Sequence, residues 1–198
     1  MDVHPRHRPG PRVAPGMLLV ASPAMTDENF VDTVVLILDV DDDGALGVVL
    51  NRPSPLLVAT VMGEWAHLVA EPEVLFRGGP VGPDGAVALA MLRNGEHALA
   101  GGEEGFTSVL GPVGLLDLDT PLEDVGDSVV ALRLFAGYAG WGPGQLQSEI
   151  DAGDWDLVPG EPQDVFGPES EHLWREVLRR QPGELAWRST RPADPALN

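Results

Sequence analysis

Residues 33–53 read TVVLILDV, then DDDG, then ALGVVLNRP. The first run is rich in β-branched residues and apolar at successive positions, so a strand there has to be covered on both faces. The acidic turn and the returning apolar run make it one arm of a β-hairpin. A strand buried on both sides belongs in the middle of a sheet, with other elements packed above and below. That requirement sets the scale of the fold: more strands are needed, and helices to cover them. The rest of the 198-residue chain supplies both.

Apolar runs bounded by turn residues predict strands at 17–22 (MLLVAS), 73–80 (EVLFRGGP), 86–92 (AVALAML), 113–118 (VGLLDL), 128–140 (SVVALRLFAGYAG), 155–159 (WDLVP) and 183–190 (GELAWRST). Helical spacing marks 56–69, weakened by Gly63, and is clearest at 168–180, PESEHLWREVLRR. Thr120, Pro121 and Glu123 form a helix-start signature. Residues 144–154 predict a helix that stops at Gly153. Thr26 or Asp27 is placed to cap a short turn carrying Phe30. Residues 95–105, rich in Gly and Glu, read as a loop. Hairpins mixed with helices give an α/β (α+β) class, with a single domain over residues 16–190. Residues 1–15 hold four prolines and three arginines and read as a disordered basic tail; residues 191–198 read as a flexible C-terminal tail.

Charge and composition narrow the function. Twelve arginines and no lysine face 31 acids, for a net charge of −19. DNA affinity comes largely from cations meeting phosphates, so this balance argues against direct DNA binding by the body. The chain has no cysteine, which excludes disulfides, thiol catalysis and cysteine metal sites. No apolar run approaches the ~20 residues of a membrane helix, and no secretion leader is apparent. The expectation is a cytoplasmic protein with no membrane association.

Most motifs that carry chemistry fail on inspection. Asp39 to Gly44 fits the start of a calcium loop, but the twelfth position is Leu50 and strands flank the turn. Gly137 to Gly142 has phosphate-loop spacing, but Pro143 stands where a lysine belongs. A dinucleotide fingerprint from Gly140 fails at Gln145. No serine sits in G-x-S-x-G, and His67, His97 and His172 are too far apart for a paired-histidine metal motif. No catalytic residue, metal ligand or cofactor is assigned. The eight acids of 149–171, with no arginine among them, read as a solvated acidic face.

Three strand ends remain: NRP (51–53), GGPV (78–81) and GYAGWGPGQL (137–146). Open sheets place ligand sites just beyond strand ends. Asn51, Arg52, Gly78, Gly79, Tyr138, Trp141 and Gln145 are therefore the candidate surface for a protein partner or a small ligand. Arg52 would hold an anionic group, the aromatics would supply contact area, and the glycines would allow close backbone approach. The competing reading gives the glycines to tight corners and the aromatics to packing. The leading functional reading is a non-catalytic binding or regulatory module. The alternatives are a regulator of transcription acting indirectly through a protein partner, and an enzyme with a carboxylate-based site near Arg52.

From Gly16 to about Arg188 these stretches, in order, resemble the AlgH/YqgE family of bacterial proteins. GMLLVASPAMTDENFVDTVVLIL is similar to the family opening, with Asp27 and Phe30 at its D-x-x-F positions, and GALGVVLNRP, GGPV and GYAGWGPGQL match later motifs. The resemblance implies a strongly bent mixed β-sheet surrounded by helices, and no established reaction. It also attaches a role in transcriptional regulation. Two departures stand out: Asp39-Val40 where many members have Glu-His, and Gln147 where many have Glu. Any chemistry resting on those family residues would be absent from this chain.

Overall fold

A computed structural model describes residues 12–93, 105–125 and 128–190. The strands are β1 (Met17–Ala21), β2 (Val34–Asp41), β3 (Gly44–Val49), β4 (Pro53–Leu57), β5 (Val74–Arg77), β6 (Val81–Leu92), β7 (Phe106–Leu110), β8 (Val113–Leu116), β9 (Val129–Trp141) and β10 (Trp155–Pro159). The helices are α1 (Val58–Val61), α2 (Leu122–Val125), α3 (Gln145–Ala152), α4 (Pro162–Phe166), α5 (Leu173–Arg179) and α6 (Glu184–Arg188). The strands form one strongly curled sheet in the order β10-β1-β2-β3-β9-β6-β8-β7, with β5 joined to both β4 and β9 off this path. The β5–β9 pair is parallel and the other named pairs are antiparallel, so the sheet is mixed.

The hairpin β2–β3 sits inside the sheet, and both faces of β2 are covered. Val34, Leu36 and Leu38 point to a core shared with Leu173, Trp174, Val177 and Leu178 of α5. Val35 and Ile37 point the other way, to Trp141, Leu146 and Trp155. Each fully buried side chain of this kind contributes about 1.5–3 kcal/mol. The buried Trp174 Nε1 donates to Ala21 O at 2.9 Å and locks α5 onto β1. A third core lies under β6 and β9, where Ala88, Ala90, Leu132 and Leu134 meet Val58, Trp65 and Val125.

β9 is the spine. One edge pairs with β6 from Val129 to Tyr138. The other edge meets β5 at Phe135–Ala136 and β3 at Ala139–Trp141. The change of partner along that edge is where the glycine motifs collect.

Several expectations are corrected. Residues 183–190 were expected to be a strand and form α6 instead. Gly183, at φ 70°, turns the chain back onto α5, where Arg175 Nη1 donates to Ser189 O at 2.7 Å. The helix expected over 56–69 starts as β4, because Leu57 is taken into pairing with Val74. It then breaks at Met62 (φ −142°, ψ 56°) into α1 and a 3-10 turn over Gly63–Leu68. The helix expected over 168–180 opens as a 3-10 turn, Ser170–His172, before α5. Strand β7 and helix α4 were not anticipated. The loop expected over 95–105 falls outside the described residues apart from Gly105, as do residues 1–11 and 191–198 of the two expected tails. Val13 packs against the Trp141 core.

Candidate binding surface along β9

The run after β5 changes sides. Phe76 and Arg77 lie along one edge of β9, and Val81 pairs with Tyr138 on the other. Gly78, Gly79 and Pro80 therefore cross the spine. Two main chains can cross only if the space between them is free of side chains. A Cβ on Gly78 would lie 2.2 Å from Gly137 O; one on Gly79 would lie 2.2 Å from Tyr138 C; one on Gly137 would lie 2.7 Å from Gly79 O. Gly79 (φ 154°) and Gly137 (φ 68°) also hold backbone conformations that L side chains rarely adopt. Gly78 N donates to Ala136 O and Gly78 O accepts from Val49 N, both at 2.8 Å, so the crossing chain stitches β3 to β9.

Asn51 and Arg52 close the neighbouring corner. The buried Asn51 accepts at Oδ1 from Val34 N (2.9 Å) and donates from Nδ2 to Asp32 O (2.8 Å), fixing the start of β2. Arg52 is half-buried, and its Nη2 donates to Val31 O at 2.6 Å. The turn that these two residues grip is held from within: Asp27 Oδ1 accepts from Asn29 N, and Asp27 O accepts from Phe30 N, both at 2.8 Å.

At the far end of β9 the arrangement is different. Trp141 and Trp155 each donate an indole N–H to Glu149 Oε2 at 2.9 Å. Gln145 donates to Glu149 Oε1 at 2.8 Å, and its own Oε1 accepts from Gly142 N at 3.1 Å. Phe30 stacks on Trp141 with centroids 6.2 Å apart and meets Trp155 edge-on at 5.4 Å. Tyr138 belongs to the opposite face of β9, packed with the α5 core beside Gly82 and Gly140. The seven candidate residues thus do not form one surface: Gly78, Gly79, Tyr138 and Trp141 lie on or across β9, while Asn51 and Arg52 bond to β2, the turn before it and β5. Asn51, Arg52, Gly78 and Gly79 cluster at the crossing, Tyr138 lies behind it, and Trp141 and Gln145 belong to the aromatic end.

The solvated acidic face expected over 149–171 is corrected in part: Asp151, Glu169 and Glu171 are exposed, but other acids of the run are engaged. Glu149 holds three side-chain N–H donors, and Asp156 pairs with Arg188. The buried Asp164 takes both Nη atoms of Arg180, at 2.5 and 2.6 Å, while Arg180 Nε lies 3.6 Å from Glu161. Hydrogen bonding to Asp164 raises the Arg180 pKa further above its ordinary value, against the lowering effect of burial. Arg133, unremarked in the sequence, is fully buried within β9. It donates to Glu71 O at 2.6 Å and Gly167 O at 3.3 Å and lies 4.4 Å over the Phe76 ring. Burial lowers its pKa from the ordinary guanidinium value to about 10. Only its position in an apolar strand could have flagged it.

What stays open is the loop between β9 and α3. Gly142, Pro143, Gly144 and Gln145 are exposed. Nothing lies within 4 Å of where a Cβ on Gly144 would sit. Beneath the loop is a cleft of about 230 Å³, lined by Asp41, Gly44, Gly142, Gly144 and Gln147 together with Arg12. A neighbouring cleft of about 210 Å³ adds Asp39, Asp43 and Trp141. Among the described residues no cluster of three or more His, Asp or Glu is arranged to hold a metal ion. No helix among them is long and apolar enough to cross a membrane.

A single curled, mixed sheet with short helices on its faces, its spine crossed by a glycine-bearing strand connection, defines the structural class. Residues 18–186 match the family model described as AlgH-like, and the chain belongs to that AlgH/YqgE family. It is 53% identical over 186 residues to a UPF0301 protein of Streptomyces coelicolor, covering 92% of this chain and 94% of the relative. It is 42% identical to a UPF0301 protein of Mycobacteroides abscessus, covering 96% and 90%. A crystal structure of a Corynebacterium diphtheriae protein superimposes with a TM-score of 0.85 at 36% identity, covering 91% of this chain and 94% of the other. The solution structure of the AlgH protein from Pseudomonas aeruginosa gives a TM-score of 0.63 at 26% identity, covering 90% and 94%.

Proposed function

We propose that this protein is a cytoplasmic, non-catalytic binding module that takes a protein partner on the β9–α3 loop and the adjoining cleft. The observation that carries this reading is the open space over Gly144, beside the exposed Gly142, in a loop whose base is held by Gln145 and Glu149. A held loop with exposed main chain loses little freedom on binding. Asp39, Asp41 and Asp43 on the cleft rims, against the single Arg12, select a basic partner segment. Of the candidate surface, Gln145 and the edge of Trp141 belong to this face; Asn51, Gly78 and Gly79 act on it through the frame. Regulation of transcription in this reading is indirect, through occupation of a protein partner.

The test is an amide NMR titration with an oligo-arginine peptide at low salt. The Gly142, Gly144 and Gln147 signals should move, and the movement should fade with added salt and in an Asp41→Asn, Asp43→Asn double variant. Shifts spread evenly over the acidic surface, with none concentrated at the loop, would sink the assignment.

A further inference from the structure

The N-terminal segment is rooted in the cleft beneath the β9–α3 loop. Arg12 lines that cleft together with Asp41, Gly44, Gly142 and Gly144. Val13 packs into the core that holds Trp141 and Leu146. The next residues are pinned to the sheet: Ala14 O accepts from Met17 N at 3.2 Å, and Gly16 N donates to Ile37 O at 2.9 Å. The point from which residues 1–11 depart is therefore fixed, and it lies at the site itself.

The rim of the cleft and the departing segment are opposite in charge. Asp39, Asp41, Asp42 and Asp43 are all exposed. Among the described residues the ion pairs belong to Arg180 and Arg188, so none of these four carboxylates has a counter-charge. Residues 1–11, MDVHPRHRPGP, carry Arg6 and Arg8 with His4 and His7, against the one acid Asp2. Arg6, Arg8 and Arg12 are the only three arginines in the sequence that follow one another with no acid between them. Eleven extended residues reach about 36 Å, enough to double back over the Asp39–Asp43 turn. Pro5, Pro9 and Pro11 restrict the backbone, which reduces the freedom lost on docking.

We infer that residues 1–11 fold back over the β9–α3 loop and its cleft as a tethered competitor of the basic partner, with Arg6 and Arg8 on the carboxylates of the Asp39–Asp43 turn. The inference rests on the reading of that cleft as a site for a basic segment, and adds its regulation. Placement selects this occupant. A segment rooted at the rim is present at roughly millimolar local concentration in every molecule. A nucleic acid would bring phosphates to a rim of carboxylates, and a second copy would bring a net charge of −19. A partner has to displace the segment, so the site admits only sequences that match the loop better than the chain's own arginines do.

The chain has no cysteine, so a spin label on Val3→Cys marks a single position. In the full chain it should broaden the Gly142, Gly144 and Gln147 amide signals, and the broadening should be lost with added salt and in the Asp41→Asn, Asp43→Asn variant. Broadening that neither change relieves would mean a segment tethered nearby without docking, and would overturn the inference. So would broadening passed from a spin-labelled molecule to an isotope-enriched one without the label, since the occupant would then come from a second copy. The second arm is the oligo-arginine titration. Arg6→Gln with Arg8→Gln should tighten it about threefold or more by removing the competitor, at an unchanged melting temperature. Equal affinity in the two proteins would overturn the competitor and leave the loop as the partner site. Salt-sensitive broadening by the label, with no response to oligo-arginine in either protein, would keep the fold-back and overturn the partner reading instead.

Discussion

Gly79 and Gly144 stand in similar glycine-rich runs, and both have positive φ, yet they do opposite things. A side chain on Gly79 would strike the Tyr138 main chain at 2.2 Å, whereas nothing lies within 4 Å of the same point on Gly144. At the crossing, glycine is required because another backbone fills the volume where a Cβ would be. At the loop it serves the left-handed conformation only, and leaves the main chain facing water. Glycine-rich motifs therefore divide by what occupies the missing Cβ, and only the open kind offers a surface to a partner.

The sharpest way to break this comparison is Gly79→Ala. Backbone cannot move aside as a flexible side-chain tip can, so the crossing has to open, and a loss of about 3–5 kcal/mol is expected by urea denaturation. A loss below about 1 kcal/mol would mean that the crossing is not what holds β5 and β6 to the spine. Next in size is Glu149→Ala, which strips the acceptor from two indole N–H groups and should cost about 2–3 kcal/mol. Glu149→Gln keeps an acceptor oxygen and should recover part of that; the two indole N–H resonances would report which tryptophan keeps its bond. Gly144→Ala is expected to cost only about 1–2 kcal/mol, the strain of a left-handed residue with a Cβ, while weakening binding of oligo-arginine. If it destabilises as much as Gly79→Ala, the contrast between the two glycines fails. Smallest is Asp41→Asn with Asp43→Asn, on the exposed turn: stability should stay within about 0.5 kcal/mol, with the change confined to peptide binding and its salt dependence.

The candidate surface was legible in the sequence as a set of residues but not as a geometry. GGPV crosses β9 at Gly137 and Tyr138, and NRP joins the crossing chain through the Arg77–Arg52 main-chain hydrogen bond. Whether each member faces water is a separate matter, and Asn51 and Trp141 turn inward because their polar atoms find partners on β2 and α3. Gln145 and Glu149 stand four apart on one helix, a spacing visible in the sequence. The second tryptophan that completes their cluster arrives from β10.

By itself the sequence determined what local pattern can carry: the hairpin buried on both faces, the stop at Gly153, the turn at Asp27, the sign of the charge. These depend on side chains within a few positions of one another. Tertiary structure alone decided that GELAW is a helix rather than a strand, that Glu149 and Asp164 are structural acids, and which glycines are enclosed. Each of those depends on what an element remote in sequence places in the same few ångströms, and no periodicity along the chain records that.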